Sequence, residues 1–346
     1  MCQHFCLFTL RYVKTFSTLS KLHKAMRAVR IHKFGGPDNL KLEDIPVPSF
    51  RDSEVLVRVN AAGINPVDTY IREGAYATLP KLPAILGREV AGIVEDVGDG
   101  VSNLKKGDRV FALLPENGGY AEFVACKEEN VYPLSEKLSF SQGSGLCIPY
   151  FTAYRALVTK CRIKPGEILL VHGASGAVGI AAVQIAKAYG LTVAGTAGTI
   201  EGMDVVKKVG ADHVFNHREK GYLNNAVAAI GGHGFNVVLE NLANVNLGAD
   251  LTVLNQQARV AVVGCRGIVE VNPRSLMLTE GSIIGVMLAG ATAEETQETA
   301  EVILRGIESG WVNPVISREY KLDEATEAHH DIIRTTGARG KLVFKL

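Results

Sequence analysis

Two textures of apolar residues divide the chain. From Met26 to about Tyr132, short apolar stretches are punctuated by Gly, Pro and Asp: MRAVRIH, EVLVRVNAAGI, VAGIVEDVG, DRVFALL and GGYAEFVAC. Such runs between turn residues predict strands, and the block predicts a compact, mostly antiparallel β domain. Through SFSQGSGLCIPYFTAYRAL the pattern turns helical. EILLVHGAS is then a continuous apolar run into a Gly turn, and GAVGIAAVQIAKAYG carries apolar residues at helical spacing up to Gly190. LTVAGTAG, HVFN, FNVVLEN, ARVAVVGC and GSIIGVML follow as further strands, with a helix through GMDVVKKVG. Strands alternating with helices predict a parallel, doubly wound sheet. From about Ala293 the order is helix (EETQETAEVILRGIESG), strand (PVISREYKL), helix (DEATEAHHDIIRTT) and strand (GKLVFKL).

The first Gly turn of the second block carries the clearest chemistry. LVHGASGAVG follows a predicted strand and opens a predicted helix, the setting in which a Gly-rich turn binds a dinucleotide. Gly173, Gly176 and Gly179 supply the turn and the close packing. The helix start offers free N–H groups and a partial positive charge to a pyrophosphate. An acid at the end of the next strand would hold the ribose 2′-OH of NAD. Here Ala194 to Thr199 read AGTAGT, with no acid, and the small residues leave room for a 2′-phosphate. His217 and Arg218, in FNHRE, stand where they would meet that phosphate. The pattern favours NADPH, although Glu201 lies a few residues past the critical position.

Composition adds limits. At 346 residues the length suggests about two domains. The net charge of +1 gives no sign of a broadly basic nucleic-acid surface. The six cysteines are scattered without a CxxC, so disulfides are not expected and a reducing compartment fits. No apolar run reaches the ~18 residues that span a bilayer. The first 25 residues differ from the rest: no acid occurs before Asp38, and Arg11, Lys14, Lys21 and Lys24 face away from Tyr12, Val13, Phe16 and Leu19 on a helical wheel. They resemble a mitochondrial transit peptide; the alternative is an extension before a true start at Met26, with a cytosolic protein.

One stretch raises a sharper question. In ILGREVAG, Arg88 and Glu89 sit side by side in an apolar, Gly-flanked run, and such residues are almost never buried unpaired. GREVAG, AGINPVDTYIREG, KKGDRVF, GGYAEF, IPYFTAYRAL, VHGASGAVG, FNHRE, LANVNL and VNPRSLMLTEGSIIGV together resemble the zeta-crystallin-type quinone oxidoreductases of the medium-chain dehydrogenase/reductase superfamily, over Met26 to Leu346. The resemblance implies an α/β protein: a GroES-like, mostly antiparallel β catalytic domain (26–149 and 293–346) and a Rossmann doubly wound, parallel-sheet NADPH-binding domain (150–292). Zinc-dependent members of that superfamily have a ligating His in a GHE triplet and a ligating Cys in the loop that here reads GINPVD. This chain has Arg88 and Asn65 there, and almost no residues between KKGDRV and GGYAEF for a four-cysteine lobe. Zinc needs Cys, His or carboxylate in sets of three or four, so no metal is expected. Arg88 and Glu89 are then expected to form a structural ion pair or network at the domain interface; the alternative turns Arg88 to the cleft, to steady a reduced oxygen. Cys147 and Cys265 read as small buried hydrophobes.

Without a metal electrophile, simple alcohol oxidation loses its means of polarising a carbonyl. A quinone is already electron-poor, and the protein mainly has to align it with the nicotinamide. The resemblance places Asn65, Tyr70 and Tyr76 on the acceptor side, in a loop where Asp68 is a cap or a catalytic group, with Tyr70 also at the cofactor. It places Thr152 by the nicotinamide and Ser175, Gly176, Ala177 and Val178 around the pyrophosphate. Gly198 and His217 border the adenosine phosphate, and Asn246, Val263, Gly264, Cys265, Arg266, Val286, Met287 and Leu288 are further cofactor contacts. It implies NADPH-dependent quinone reduction, with ortho-quinones favoured and one-electron semiquinone products included. The rival enzyme is an NADPH-dependent alkenal or enone reductase; the rival of another class binds AU-rich RNA or single strands in the nucleotide cleft. A homodimer or homotetramer is implied, paired through GSIIGVML at the sheet edge.

Overall fold

The structure, a computed structural model, describes residues 25–334 and 337–346; the transit-peptide expectation lies outside the described residues. Among them the chain opens with β1 (Ala25–Ile31), β2 (Lys41–Pro46), β3 (Glu54–Ile64), α1 (Pro66–Glu73), β4 (Ala84–Ile85), β5 (Glu89–Val97), β6 (Arg109–Leu113), β7 (Phe123–Lys127) and β8 (Val131–Pro133). A bridge of α2 (Phe140–Gly143) and α3 (Cys147–Tyr154) leads to β9 (Ile168–Val171), α4 (Ala177–Ala188), β10 (Thr192–Ala197), α5 (Ile200–Lys208), β11 (His213–Asn216), α6 (Tyr222–Ala229), β12 (Phe235–Glu240), α7 (Ala243–Asp250), β13 (Leu254–Val262), α8 (Pro273–Thr279) and β14 (Ser282–Gly285). The tail is α9 (Ala293–Ser309), β15 (Ile316–Tyr320), α10 (Ala325–Arg334) and β16 (Lys341–Lys345).

The first block closes on itself through one sheet of order β15-β16-β3-β5-β6-β8, with β7 also on β3, and a smaller sheet of order β2-β1-β4. Its pairings are antiparallel apart from β15 with β16. The second block is a parallel sheet of order β11-β10-β9-β12-β13-β14. Counted from β9, that is 3-2-1-4-5-6, the doubly wound order whose crevice lies outside the carboxyl ends of the first and fourth strands. The first block thus has the GroES-like, mostly antiparallel character and the second the Rossmann character expected.

The tail returns to the first block: β16 pairs with β3, Leu342 opposite Ile64. The buried face of α9 goes elsewhere. Ala300, Ile303 and Ile307 enter the core that α3 and α4 share, while α10 and β16 pack into the core of the β domain. Thr292 and Glu295 cap α9 at its start, and Gly310, in the left-handed region at φ 86°, ends it. β14 is the edge of its sheet, and Ile268, Met277, Leu278 and Ile283 are exposed large hydrophobics on it and on the segment leading to it. Among the described residues no helix is long and apolar enough to cross a membrane.

Candidate functional site

The crevice of the parallel sheet opens onto the β domain as one cleft of about 1680 Å³. The Gly-rich turn forms one wall. His172 N–H bonds to Leu239 O and Ala174 N–H to Thr196 O, so the turn is tied to the neighbouring strands. Gly173 has φ 60°. A Cβ at Gly179 would lie 2.4 Å from Gly173 O, so glycine is required for α4 to meet the turn. The first N–H groups of α4, those of Ala177, Val178 and Gly179, have no intrahelical acceptor, and these three residues line the cleft. This is a cradle for a pyrophosphate, and the cleft has room for a dinucleotide and a second ligand.

Opposite stands α1. The sequence reads as a loop here, but Asn65 and Asp68 form a capping box, Pro66 takes the first helical position, and Gly74 at φ 77° ends the helix. These local signals make the segment a helix and fix the side chains it carries. Asn65 N–H bonds to Asp68 Oδ2 at 2.8 Å, and Tyr120 OH donates to the same oxygen at 2.8 Å. Arg72, fully buried, can only donate, so His329 Nδ1 accepts from it at 3.0 Å and Nε2–H is left to face Tyr120 OH at 3.2 Å. Burial, with the Arg72 charge behind it, pushes the His329 pKa down to about 3, which keeps the ring neutral. Burial pushes Asp68 up to about 6, against the pull of the Tyr120 and Asn65 hydrogen bonds. Asp68 therefore caps and anchors the helix that presents Tyr70.

The charged pair of GREVAG does not pair with itself. Glu89 opens β5 while Arg88 lies in the bend before it, and Glu89 turns inward, fully buried. Lys341 Nζ on β16 lies 2.6 Å from Glu89 Oε1, Asn65 Nδ2 donates to the same oxygen at 3.0 Å, and Ile148 N–H donates to Oε2 at 2.8 Å. Lys341 also donates to Asn65 Oδ1. Gly63 leaves the room: a Cβ there would lie 2.5 Å from Glu89 Oε1. Arg88 turns to the cleft, where its Nη2 donates to Pro115 O at 3.3 Å. The expected ion pair is thus corrected: Glu89's cation is Lys341, 252 residues away.

Most of the expected site residues share the cleft. Asn65, Tyr70, Tyr76, Thr152, Gly176, Ala177, Val178, Val263, Gly264, Arg266, Val286, Met287 and Leu288 line it. Tyr70 is half-buried rather than core, and its OH accepts from Arg266 Nε at 3.1 Å, across the cleft. Ser175, Gly198, His217, Asn246 and Cys265 do not line it. Ser175 is buried behind the turn and its O accepts from Gly340 N–H at 2.8 Å. Gly198 and His217 lie together beyond it: a Cβ at Gly198 would sit 2.7 Å from His217 Nε2 and 3.0 Å from Arg218 Nε. Burial, then the charges of His172 and Arg218, lower the His217 pKa. Asn246 is on α7 and donates to Glu240 Oε1 at 3.2 Å. Cys265 is exposed, contrary to its reading as a buried hydrophobe, because it follows the end of β13 on an open loop; Cys147 is buried as expected.

Lining residues that the motifs did not reveal are Asn241, Leu242, Ile148 and Lys341. The first two directly follow β12, where the doubly wound order puts the crevice, so topology could have found them. They rest on a buried carboxylate. Glu240 Oε1 accepts from Leu242 N–H, its backbone O accepts from Val263 and Gly264 N–H, and Asn241 Nδ2 bonds to His172 O. Among the described residues, His172, Glu240 and Asp250 are the one His/Cys/Asp/Glu trio close enough to share an ion; all are buried and none lines the cleft. At the cleft itself, Asn65 and Arg88 offer no such donor set.

Burial, and then the neighbouring Asp250 carboxylate, push Glu240 up to about 7 against the pull of His172. Burial opposes charge on His172, but the hydrogen bond to Asp250 and the two carboxylates raise it overall. Both groups hold protons more tightly when folded. Their stabilisation is therefore full below the unfolded values, near 4.5 for Glu240, and is lost as pH rises, through about 7 for Glu240. Thermal unfolding should show a lower midpoint at pH 8 than at pH 6, and Glu240→Gln should flatten that slope. An unchanged slope in the variant would assign the loss to other groups.

Residues 51–136 match the alcohol dehydrogenase GroES-like domain model and residues 177–305 the zinc-binding dehydrogenase model. The chain is 52% identical to the human quinone oxidoreductase over 93% of this chain and 98% of that one. It is 32% identical to quinone oxidoreductase 1 of Escherichia coli strain K12 over 90% of this chain and 97% of that one. The crystal structure of Escherichia coli quinone oxidoreductase complexed with NADPH superposes with a TM-score of 0.83 at 32% identity, covering 92% of this chain and all of that one.

Proposed function

Since the chain belongs to the quinone oxidoreductases of the medium-chain dehydrogenase/reductase superfamily, we propose that it reduces quinones with NADPH and without a metal, with ortho-quinones as preferred acceptors. The observation that carries this is that one cleft is lined by the α4 N-terminus, by Asn65 and Tyr70 of the α1 segment and by Thr152. Bound NADPH supplies the hydride. The chain's own residues bind, orient and exclude. The α4 N–H groups of Ala177 and Val178 hold the pyrophosphate, and His217 with Arg218 at Gly198 meets the 2′-phosphate. Thr152 and Val286 to Leu288 set the nicotinamide plane, with Tyr132 and Ile148 keeping water from that end. Asn65 is already committed to Lys341 and Glu89, so it has one N–H left for an acceptor oxygen. Tyr70 and Tyr76 close the acceptor side. No metal fits the donor set that Asn65 and Arg88 offer, and none is needed by an acceptor that is electron-poor from the start.

The exposed apolar side chains Met277, Leu278 and Ile283 on α8 and at edge strand β14 support pairing of two subunits there. The activity is tested by the loss of reduced-nicotinamide absorbance in chelator-treated protein. NADPH and NADH are each offered with 9,10-phenanthrenequinone and, separately, with an α,β-unsaturated aldehyde. Fast NADPH loss with the quinone is expected, with NADH at least tenfold slower in kcat/KM, about 1.4 kcal/mol. Turnover with the aldehyde alone would move the function to enone reduction. NADPH binding without either turnover, displaced by single-stranded RNA, would favour the binding role.

A further inference from the structure

Hydride transfer to a quinone breaks the C4–H bond of the dihydronicotinamide and forms an O–H bond on one quinone oxygen. Two electrons and one proton move, and the second oxygen is left with a full negative charge until solvent protonates it on release. A site that does this without a metal needs something to meet that charge. We infer that Arg88 is that group: its guanidinium is the electrophile of the cleft and binds the acceptor oxygen on which charge develops. The inference rests on the quinone reading above.

The structure places Arg88 in that role by four observations. Its side chain lines the cleft together with Asn65, Ile148 and Thr152, whereas its neighbour Glu89 is turned to Lys341. Its charge is uncompensated: among the described residues no carboxylate lies within ion-pair distance, the cleft-lining Glu116 and Glu129 are exposed, and Glu129 pairs with Lys127. Its hydrogen bonding is incomplete. A guanidinium carries five N–H donors, yet one long bond to Pro115 O is made and Nε is sealed from solvent with no partner. The guanidinium thus keeps spare donors at the cleft, where an oxygen from a ligand can accept from them. Finally, the backbone around it is fixed in place. Leu114 N–H bonds to Arg88 O at 2.8 Å and Gly119 N–H to Gly87 O at 3.0 Å, which hold the strand start against the loop between β6 and β7. The root of the side chain is therefore set in position before the acceptor arrives. Of the other cations lining the cleft, Arg30 pairs with Glu43 and Lys341 with Glu89, Arg266 donates to Tyr70 OH, and Lys81 is exposed at the rim.

Two measurements test this. In steady-state reduction of 9,10-phenanthrenequinone, Arg88→Gln should lower kcat by about tenfold to a hundredfold with KM within about threefold, and Arg88→Lys, which keeps the charge but not the fork, should recover part of it. In calorimetry of the full chain with NADP+, 2-hydroxy-1,4-naphthoquinone, ionised at neutral pH, should bind at least tenfold more tightly than its neutral 2-methoxy ether. Arg88→Gln should abolish that preference. The wild-type comparison needs no variant, so the absence of a preference overturns the assignment even if Arg88→Gln does not fold, and Arg88→Lys supplies the second variant. Equal affinity of the wild type for the two naphthoquinones, or a variant that loses thermal stability while keeping kcat, overturns the assignment. If no quinone is turned over but the anion preference holds and depends on Arg88, the functional reading fails and the anion site stands. Turnover without any preference leaves the function and removes Arg88 from it.

Discussion

Lys341→Met is expected to cost about 3–5 kcal/mol of folding stability, a fall in thermal midpoint on the order of 10 °C. Lys341 is 3% exposed and Glu89 fully buried, so neither charge can turn to water when the other is removed. In the native chain the ammonium satisfies Glu89 Oε1 and Asn65 Oδ1 at once. Methionine keeps the volume but leaves an uncompensated buried carboxylate and an amide oxygen without a donor. The second substitution Glu89→Gln, made on top of Lys341→Met, should restore part of the loss, because a neutral amide no longer needs a cation. Differential scanning calorimetry of the single and double variants checks both. A single variant within about 1 kcal/mol of the native chain would show that Glu89 finds another partner or water.

Gly179→Ala is expected to raise the dissociation constant for NADPH by about a hundredfold, near 2.7 kcal/mol. The added Cβ would stand 2.4 Å from Gly173 O and 2.6 Å from Ala174 Cα. These are backbone atoms, not the ends of flexible side chains, so the turn itself has to move. Moving it withdraws Gly173 and Gly176 from the pyrophosphate and tilts the N–H groups of α4. Gly176→Ala is the comparison: its Cβ meets Gly173 O at 3.4 Å, an ordinary contact. In that variant any loss comes from crowding the ligand rather than from reshaping the protein. NADPH fluorescence titration of both, with circular dichroism to confirm folding, tests the argument. Binding within tenfold of the native chain in Gly179→Ala would mean that the turn yields cheaply.

Local signals carried much of the fold. The period of the apolar residues separated the β domain from the doubly wound sheet, because side-chain period follows backbone geometry. The Gly173–Gly179 turn was legible for the same reason: three glycines between a strand and a helix admit few backbones. Local chemistry misleads in one place: GINPVDTYIREG reads as a loop, yet Asn65 and Asp68 form a capping box that starts a helix. Long-range pairing was not legible at all. Nothing in ILGREVAG says that Glu89 meets a lysine 252 residues later while Arg88 meets no carboxylate among the described residues. The destination of α9 was equally hidden, since an amphipathic helix names a face but not the surface that covers it. Asn246 shows the same limit at the site: the resemblance implies a cofactor contact there, but nothing in LANVNL says that its amide donates to Glu240 Oε1.

The distance in sequence between Lys341 and its partners sets an order of events during synthesis. Asn65 and Glu89 emerge from the ribosome early, but their cation is 276 and 252 residues behind them. At ~5–20 residues per second the wait is tens of seconds. Through that interval the β domain lacks β16, so the edge of β3 around Ile64 is open and Glu89 has no counter-charge. The parallel sheet, encoded wholly within the gap, can fold in the meantime and become a platform beside an unfinished neighbour. A nascent chain stalled before residue 341 should therefore hold NADPH before it can hold an acceptor, and should be a client for chaperones that cover strand edges.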